Sequence, residues 1–310
     1  ALPGGSGLDG FARETDSGPL GRLRGPQTPN EVDAVFLIAR SQHYGLLEQD
    51  RTTRRGARHT MRALITGSGN MGHAVAAALE ARGDEVVTIA GRETGYPEAE
   101  AIGPVDVTIE FSHHHSLIEH VELGLAAGCR AFVIGTTGWT ADDAVGQAFA
   151  RLLEAHGARA VVAPTFSLGA VLFGDVAEYA ARLFGGFSDY DPYLFEQHRA
   201  AKADRPSGTA LAVANRLVPH LRSKREARLA TGTGVPDPDV LEVVALRAGS
   251  HPGMHTVGFD GPGESLQIRI EARDRSAYVA GALLAADTLL EQPSRRGITS
   301  FTDLVRERTA

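Results

Sequence analysis

From Met61 onward the apolar positions come in short, nearly continuous runs, separated by longer stretches in which they recur every three or four residues. MRALITG is followed by HAVAAALEARG, which Gly83 closes, and then by EVVTIAG. VDVTIEFS, SLIEHVELGLAAG, RAFVIGTTG, DDAVGQAFARLLEAHG and RAVVAPTFS repeat the beat. The short runs predict strands and the amphipathic stretches predict helices. Strands alternating with helices of about 10–15 residues form a parallel sheet covered on both faces, which is why the strands carry so few polar residues.

Around Gly185 the rhythm shortens. DYDPYLFEQH, VLEVVALRAG, MHTVGFDG and SLQIRIEARD alternate as half-exposed strands do, and SGTALAVANRLVPHL reads as one helix among them. The expected fold is α/β: a Rossmann-type doubly wound parallel sheet with a second, smaller α+β domain built on a mixed or mostly antiparallel sheet. The expected divisions are a dinucleotide-binding domain at 61–187, a second domain at 188–276, and a C-terminal helical segment at 277–310. The run AYVAGALLAADTLL in that last segment returns to the first domain.

Residues 1–60 have no period. They are rich in Gly, Pro and Arg, and are expected to be a disordered or non-native extension without a function of its own. Their acids, Asp9, Glu14, Asp16, Glu31 and Asp33, are those a mitochondrial transit peptide avoids. Over 310 residues, 43% are hydrophobic and 22% charged, a globular composition with room for two domains. The formal net charge of −7 argues against nucleic acid as the partner. One cysteine, Cys129 in AAGCRAFVIG, excludes an internal disulfide framework and fits a reducing compartment as a buried thiol. No apolar run approaches the ~20 residues of a membrane span, so the expected location is the cytoplasm.

The first chemistry lies between the first strand and helix, where Gly67, Ser68, Gly69, Asn70, Met71 and Gly72 form a G-x-G-x-x-G turn. In that context the pattern is a strong sign of a dinucleotide: Gly67 permits the tight turn, Gly69 lets a pyrophosphate approach, and Gly72 lets the helix pack on the strand. The helix N-terminus adds amide donors for the phosphates. The second strand ends in Arg92 followed by Glu93. Arg92 is placed to hold a 2′-phosphate, which favours NADPH and leaves NADH open. Ligands of such sheets bind beyond the carboxyl ends of the strands. Gly135, Thr136 and Thr137 after the fourth strand, and Ala163, Pro164, Thr165 and Phe166 after the fifth, are therefore further cofactor candidates, with Phe166 either shaping a nicotinamide pocket or serving as core.

The second chemistry is the segment EQHRAAKADRPSGTA. It gathers Glu196, His198, Arg199, Lys202 and Asp204 ahead of Pro206 and Gly208, which forbid a long regular helix. The charges therefore lead into a turn whose amides are free to bind a ligand.

GSGNMG, EFS, GTTGW, APTFS, EQHRAAKADRPSGTA and LRAG…GMHTV, in this order and spacing, resemble the 4-hydroxy-tetrahydrodipicolinate (dihydrodipicolinate) reductases of bacterial lysine biosynthesis. The likeness spans nearly all of residues 61–310. The resemblance implies NAD(P)H-dependent reduction of a cyclic dicarboxylate in the diaminopimelate route. His198 and Lys202 take the catalytic roles, and Arg199, Ser207, Gly208 and Thr209 bind the substrate. It also implies a homotetramer joined through the sheet of the second domain. General acid catalysis by Lys202, with His198 assisting four residues earlier, suits a reduction whose electron-rich intermediate must be protonated. Glu196 and Asp204 are expected to order the loop, and Arg247 to face the site or brace the interface between the domains.

Three departures stand out. Arg199 replaces the family's second histidine with a permanently charged, longer side chain suited to a carboxylate. Thr165 stands where the family has Asn. His113, His114 and His115 follow EFS; three consecutive residues do not all point at one ion without an unusual backbone, so they are expected to form a polar lip by the cofactor, and no metal is expected. The alternatives are a sister NAD(P)-dependent oxidoreductase acting on another small amino or keto acid, supported by Arg199, and a non-catalytic NAD(P)-binding regulator, against which His198 and Lys202 both argue.

Overall fold

The computed structural model describes residues 60–309; the expectation for the N-terminal extension lies outside them. The first sheet is built from six strands: β1 (Arg62–Thr66), β2 (Glu85–Ala90), β3 (Val107–Glu110), β4 (Ala131–Ile134), β5 (Arg159–Val162) and β11 (Gly297–Ser300). All are parallel, in the order β11-β5-β4-β3-β1-β2. Every residue of β3 and β4 is buried, as the apolar runs predict, while β2 at one edge is mostly half-exposed.

Helices cover both faces. On one side α1 (Asn70–Arg82) and α7 (Ser276–Glu291) bury Val75, Leu79, Ala282 and Leu289 against Ala63, Ile65 and Val133. On the other, α3 (Leu117–Ala126) and α4 (Asp143–Ala155) bury Val121, Phe149 and Leu153 against Leu64, Phe132 and Ile134. The short α2 (Ala99–Ile102) adds Ile102 to that second layer. Local signals set the ends. Gly83 closes α1 in the left-handed region at φ 85°, and the Asp142 carboxylate accepts from the Ala144 amide at 2.9 Å to cap α4.

The chain then enters α5 (Leu168–Phe184), capped by Ser167, and passes to a second sheet of five strands. These are β6 (Asp191–His198), β7 (Glu226–Leu229), β8 (Val240–Arg247), β9 (Met254–Asp260) and β10 (Ser265–Glu271), in the order β10-β9-β6-β8-β7. Pairing is evenly mixed, with β6–β8 and β7–β8 parallel and β6–β9 and β9–β10 antiparallel. One face lies under α5 and α6 (Gly208–Leu217), where Phe173, Ala177, Val213 and Leu217 meet Leu194, Leu241, Val257 and Phe259.

The sequence reading did not mark α2 and β7, and two longer stretches also differ from it. The hydrophobic stretch 168–184, between the two rhythms, is a helix of 17 residues that joins the two sheets. The C-terminal segment is not helical throughout: after α7 the four residues of β11 pair with β5 before α8 (Phe301–Thr309). A strand of that length, GITS, with one aliphatic side chain, carries no readable period.

Candidate active site

The order of the parallel strands reverses beside β1, since β1 has β2 on one side and β3 on the other. The loops leaving β1 and β3 therefore lead to helices on opposite faces of the sheet, the arrangement in which a ligand binds outside the carboxyl ends of the strands. The glycine turn is built for close approach. Gly67 has φ 110°, and a Cβ there would collide with the Phe111 carbonyl, so the loops after β1 and β3 touch through backbone alone. A Cβ on Gly72 would strike the Gly67 carbonyl oxygen. Gly69, by contrast, faces open space, and no side chain caps α1. An uncapped helix N-terminus behind an open glycine is a site for phosphate, and these residues fit a dinucleotide.

The loops after β3 and β4 are tied together beside it. The Ser112 amide donates to Thr136 Oγ1 at 2.9 Å, and Trp139 Nε1 donates to the Thr136 carbonyl at 2.9 Å. Beneath them the buried pair Glu110 and His120 forms a cluster with half-buried Ser112 that sequence reasoning missed. Glu110 Oε1 accepts from the Ser112 amide at 3.0 Å and from its hydroxyl, and His120 Nδ1 lies 3.3 Å from the same oxygen. The Tyr96 ring stacks on His120 at 5.3 Å. His120 is ten residues from Glu110 and on a helix, so no local spacing in the sequence pairs them.

The cofactor candidates occupy different depths. Gly69, Asn70, Thr137 and Pro164 are exposed at the carboxyl edge, Met71, Gly135 and Thr165 are half-buried, and Ser68, Thr136 and Ala163 are buried. Arg92 is exposed after β2, where Gly91 lies against Ser68. Phe166 is core. It is 1% exposed, with its ring 5.9 Å from Phe111 and 5.0 Å from Phe301, so of its two readings the second holds and it does not line the crevice.

The charged segment is organised by Glu196. Strand alternation points Glu196 and His198 inward on β6, while Arg247 ends the neighbouring β8 opposite His198, and His255 pairs with Glu196 across β9. Glu196 is completely buried. Its Oε1 accepts from the Ser207 amide at 2.9 Å and from Arg247 Nη2 at 2.8 Å. Its Oε2 faces His198 Nδ1 at 3.3 Å and His255 Nδ1 at 3.8 Å. Burial alone would raise the Glu196 carboxyl, but the bonds from His198, Ser207 and Arg247 together hold it well below the usual carboxylate range. Burial, and then the His198 ring beside it, push His255 down to about 4 against the pull of Glu196.

Ser207 is a hinge of the arrangement. While its amide donates to Glu196, its hydroxyl accepts from the Ala210 amide at 3.1 Å and caps α6. The buried acid thus anchors the start of the helix that carries Gly208, which is exposed, and Thr209, which is half-buried. Lys202 is half-buried and bonds Asp204 at 2.7 Å, while Arg247 Nη2 also reaches the Asp204 carbonyl at 2.5 Å. Arg199 is exposed and bears electrostatically on Tyr278 of α7. His198 Nε2 and the Tyr278 hydroxyl both lie beside Gly253, so the catalytic candidates face the first turn of a helix packed on the other sheet. Tyr278 is a neighbour of these candidates that the sequence did not mark, because an aromatic residue in an apolar helix reads as core.

The triplet after β3 also differs from expectation. His113 is extended, His114–Ser116 form a 3₁₀ turn, and the ring nitrogens of His113, His114 and His115 lie within 4.8 Å of one another. Consecutive residues converge because the backbone changes conformation between the first and the second.

A dinucleotide crevice on one sheet, answered by imidazole and ammonium groups on the other, defines a pyridine-nucleotide-dependent oxidoreductase. Residues 61–166 match the family model described as dihydrodipicolinate reductase, N-terminus, and residues 169–305 match dihydrodipicolinate reductase, C-terminus. The 4-hydroxy-tetrahydrodipicolinate reductase of Mycobacterium sp. (strain KMS) is 31% identical over 252 residues, 79% of this chain and 100% of that one. That of Mycolicibacterium vanbaalenii is 31% identical over 256 residues with the same coverage of both chains, 79% and 100%. The chain belongs to the dihydrodipicolinate reductase family. Among solved structures, a dipicolinate-bound dihydrodipicolinate reductase from Paenisporosarcina sp. TG-14 shares the fold, with a TM-score of 0.61 at 22% identity over 78% of this chain and 98% of that one.

Proposed function

We propose that this chain reduces 4-hydroxy-tetrahydrodipicolinate with a nicotinamide cofactor to tetrahydrodipicolinate, the 4-hydroxyl leaving as water, in the diaminopimelate route to lysine, and that Lys202 and His198 manage the proton. The observation that carries the assignment of roles is the Glu196 cluster. It fixes His198 on one side and the Ser207–Thr209 turn on the other, on a strand end that faces α7.

Bound in the crevice of the first sheet, the cofactor supplies the hydride. The chain does the rest. The turn at Gly67–Gly72 would receive the pyrophosphate, and Thr136, Thr137 and the small residues Gly135 and Ala163 would border the nicotinamide. The Gly208 and Thr209 amides and the Arg199 guanidinium hold the two substrate carboxylates, since anions need amide donors and cations. Glu196 stays ionised and faces His198 Nδ1, which leaves Nε2 as the atom turned toward the substrate side. Lys202, paired with Asp204, is the proton donor to the substrate. Residues up to about 187 carry the cofactor, and the second sheet with its helices carries the substrate.

Arg92 supports NADPH as the preferred donor: it is exposed where a 2′-phosphate would lie, although Glu93 beside it is compatible with NADH. A homotetramer joined through the second sheet is supported by that sheet's open face, where Val244 and Leu246 are 39% and 42% exposed beside half-buried Tyr193 and Phe195. A cytoplasmic location is supported by the single cysteine, and no helix among the described residues is long and apolar enough to cross a membrane. The test is oxidation of NADPH, and separately of NADH, followed by absorbance with substrate generated in situ by the synthase. No turnover there, together with turnover of another imino or keto acid, would move the assignment to a sister oxidoreductase.

A further inference from the structure

Among the described residues, two groups of three side chains bring nitrogen or oxygen ligand atoms within 4.8 Å of one another. One is Glu196, His198 and His255; the other is His113, His114 and His115. Their surroundings decide between them as cation sites. In the first, the carboxylate already holds Arg247 at 2.8 Å, and Lys202 bears on His255 as well, so a dication would enter a buried place against two cations. Its members are also committed to the proton chemistry.

The second group is the reverse. His113 and His115 are exposed and His114 is half-buried, so an ion reaches them without displacing the core. The charges that bear on His114 are its two histidine neighbours, which are uncharged when deprotonated, and Asp142, whose charge is negative. Ring centroids are 4.3 Å apart for His113 and His114, 3.9 Å for His114 and His115, and 5.0 Å for His113 and His115. Two imidazole nitrogens bound to one tetrahedral zinc ion at about 2.0–2.1 Å each lie ~3.3 Å apart. Rotation of the two exposed rings, which solvent surrounds, has to close a gap of up to ~1.5 Å.

We propose that His113, His114 and His115 form a binding site for one transition-metal dication of the imidazole-preferring kind, such as Ni²⁺ or Zn²⁺. Three neutral imidazoles suit these ions and not Mg²⁺ or Ca²⁺, which take oxygen ligands. The site sits on the loop after β3, with the His114 ring against Gly138, which stands at φ 95° in the loop after β4. Its position on the lip of the cofactor crevice rests on the reductase reading; the binding of the ion does not.

The test is calorimetric titration of NiCl₂, and then ZnCl₂, into chelator-treated protein that carries no polyhistidine tag. One ion per chain is expected, with affinity falling more than about 100-fold in His114→Ala, beyond what loss of even an outer-shell partner commonly costs. Because His114 packs against Gly138, the double variant His113→Ala/His115→Ala, altered only at exposed positions, is titrated beside it and should show the same loss. His255→Gln should leave the stoichiometry and affinity as they are. MgCl₂ should give no saturable heat. No saturable binding of Ni²⁺ or Zn²⁺, or binding that survives both triplet variants, would overturn the proposal. Binding lost in His255→Gln would instead place the ion in the buried group. NADPH turnover has no part in this readout, so the reductase reading can fail while the metal site stands, and the reverse.

Discussion

The two halves of the site are made of opposite materials. On the first sheet it is glycine and backbone: Gly67 and Gly72 are shaped by contacts no side chain could survive, and Gly69 opens on space. On the second sheet it is buried charge: a carboxylate with no exposed surface, a guanidinium 2.8 Å away, and two imidazoles on its other oxygen. The first half recognises an anionic cofactor by leaving amides available, and requires little of the core beneath it. The second must move a proton, which needs titratable groups in fixed protonation states, and so a desolvated network that holds them there. The same contrast predicts how each half fails: the glycine half by collision, the charged half by leaving a partner stranded.

The largest expected effect separates the two halves by function. Lys202→Ala should lower kcat by roughly 10²–10⁴-fold, the usual worth of a general acid. Cofactor affinity, read by quenching or enhancement of NADPH fluorescence, should hardly change. If NADPH binding collapsed with it, the division of labour between the sheets would be wrong.

Next comes the stranded partner. Glu196→Ala leaves Arg247, with a side chain 9% exposed, without its carboxylate. The expected destabilisation is about 3–5 kcal/mol by urea unfolding, the range for breaking a buried ion pair from one side. A change below about 1 kcal/mol, the scale of a surface pair, would show that the cluster is not a desolvated unit.

Acid should weaken the charged half first. In the unfolded chain His255 takes up a proton near 6.5, whereas the folded state resists until about 4. Stability is therefore lost as pH falls through that window, by about 3 kcal/mol if the whole interval is realised. Glu196, held low in the fold, adds to the loss only below its unfolded value of 4.5. His255→Gln should flatten the upper part of the profile and leave the lower. An unchanged slope between pH 6.5 and 4 in that variant would mean that His255 is not the residue kept neutral.

Gly72→Ala probes the other half. Its Cβ has no room beside the Gly67 carbonyl, and overpacking of this kind costs about 1–3 kcal/mol. The damage should appear as weakened NADPH binding, with the Glu196 cluster undisturbed in its pH profile. The smallest effect belongs to Arg199→His, at an exposed position: a change of a few-fold in KM for the dicarboxylate, on the scale of one exposed ion pair. A loss of kcat there instead would give Arg199 a role in the chemistry.

How much of this was legible in the chain depends on the distance over which each feature is encoded. The strands and helices of the first sheet follow from apolar runs and from caps such as Gly83 and Asp142, which act within a few residues. The glycine turn is legible for the same reason, since its constraint is local backbone geometry. The residues Glu196, His198 and Lys202 are readable as a cluster of titratable groups because one strand end and one loop supply them all.

The chain alone, then, determined most of the elements of the two sheets, the cofactor turn and the supply of charged side chains, because helix period, strand alternation and glycine conformation are properties of short segments. Only the tertiary structure decided which charges meet. Arg247 and His255 reach Glu196 from 51 and 59 positions away by strand register, His120 reaches Glu110 from a helix, and Phe166 withdraws into the core against Phe301 of the returning C-terminal segment. Register and layer packing set these meetings, through the burial of whole faces at once, and no window of neighbouring residues contains that information.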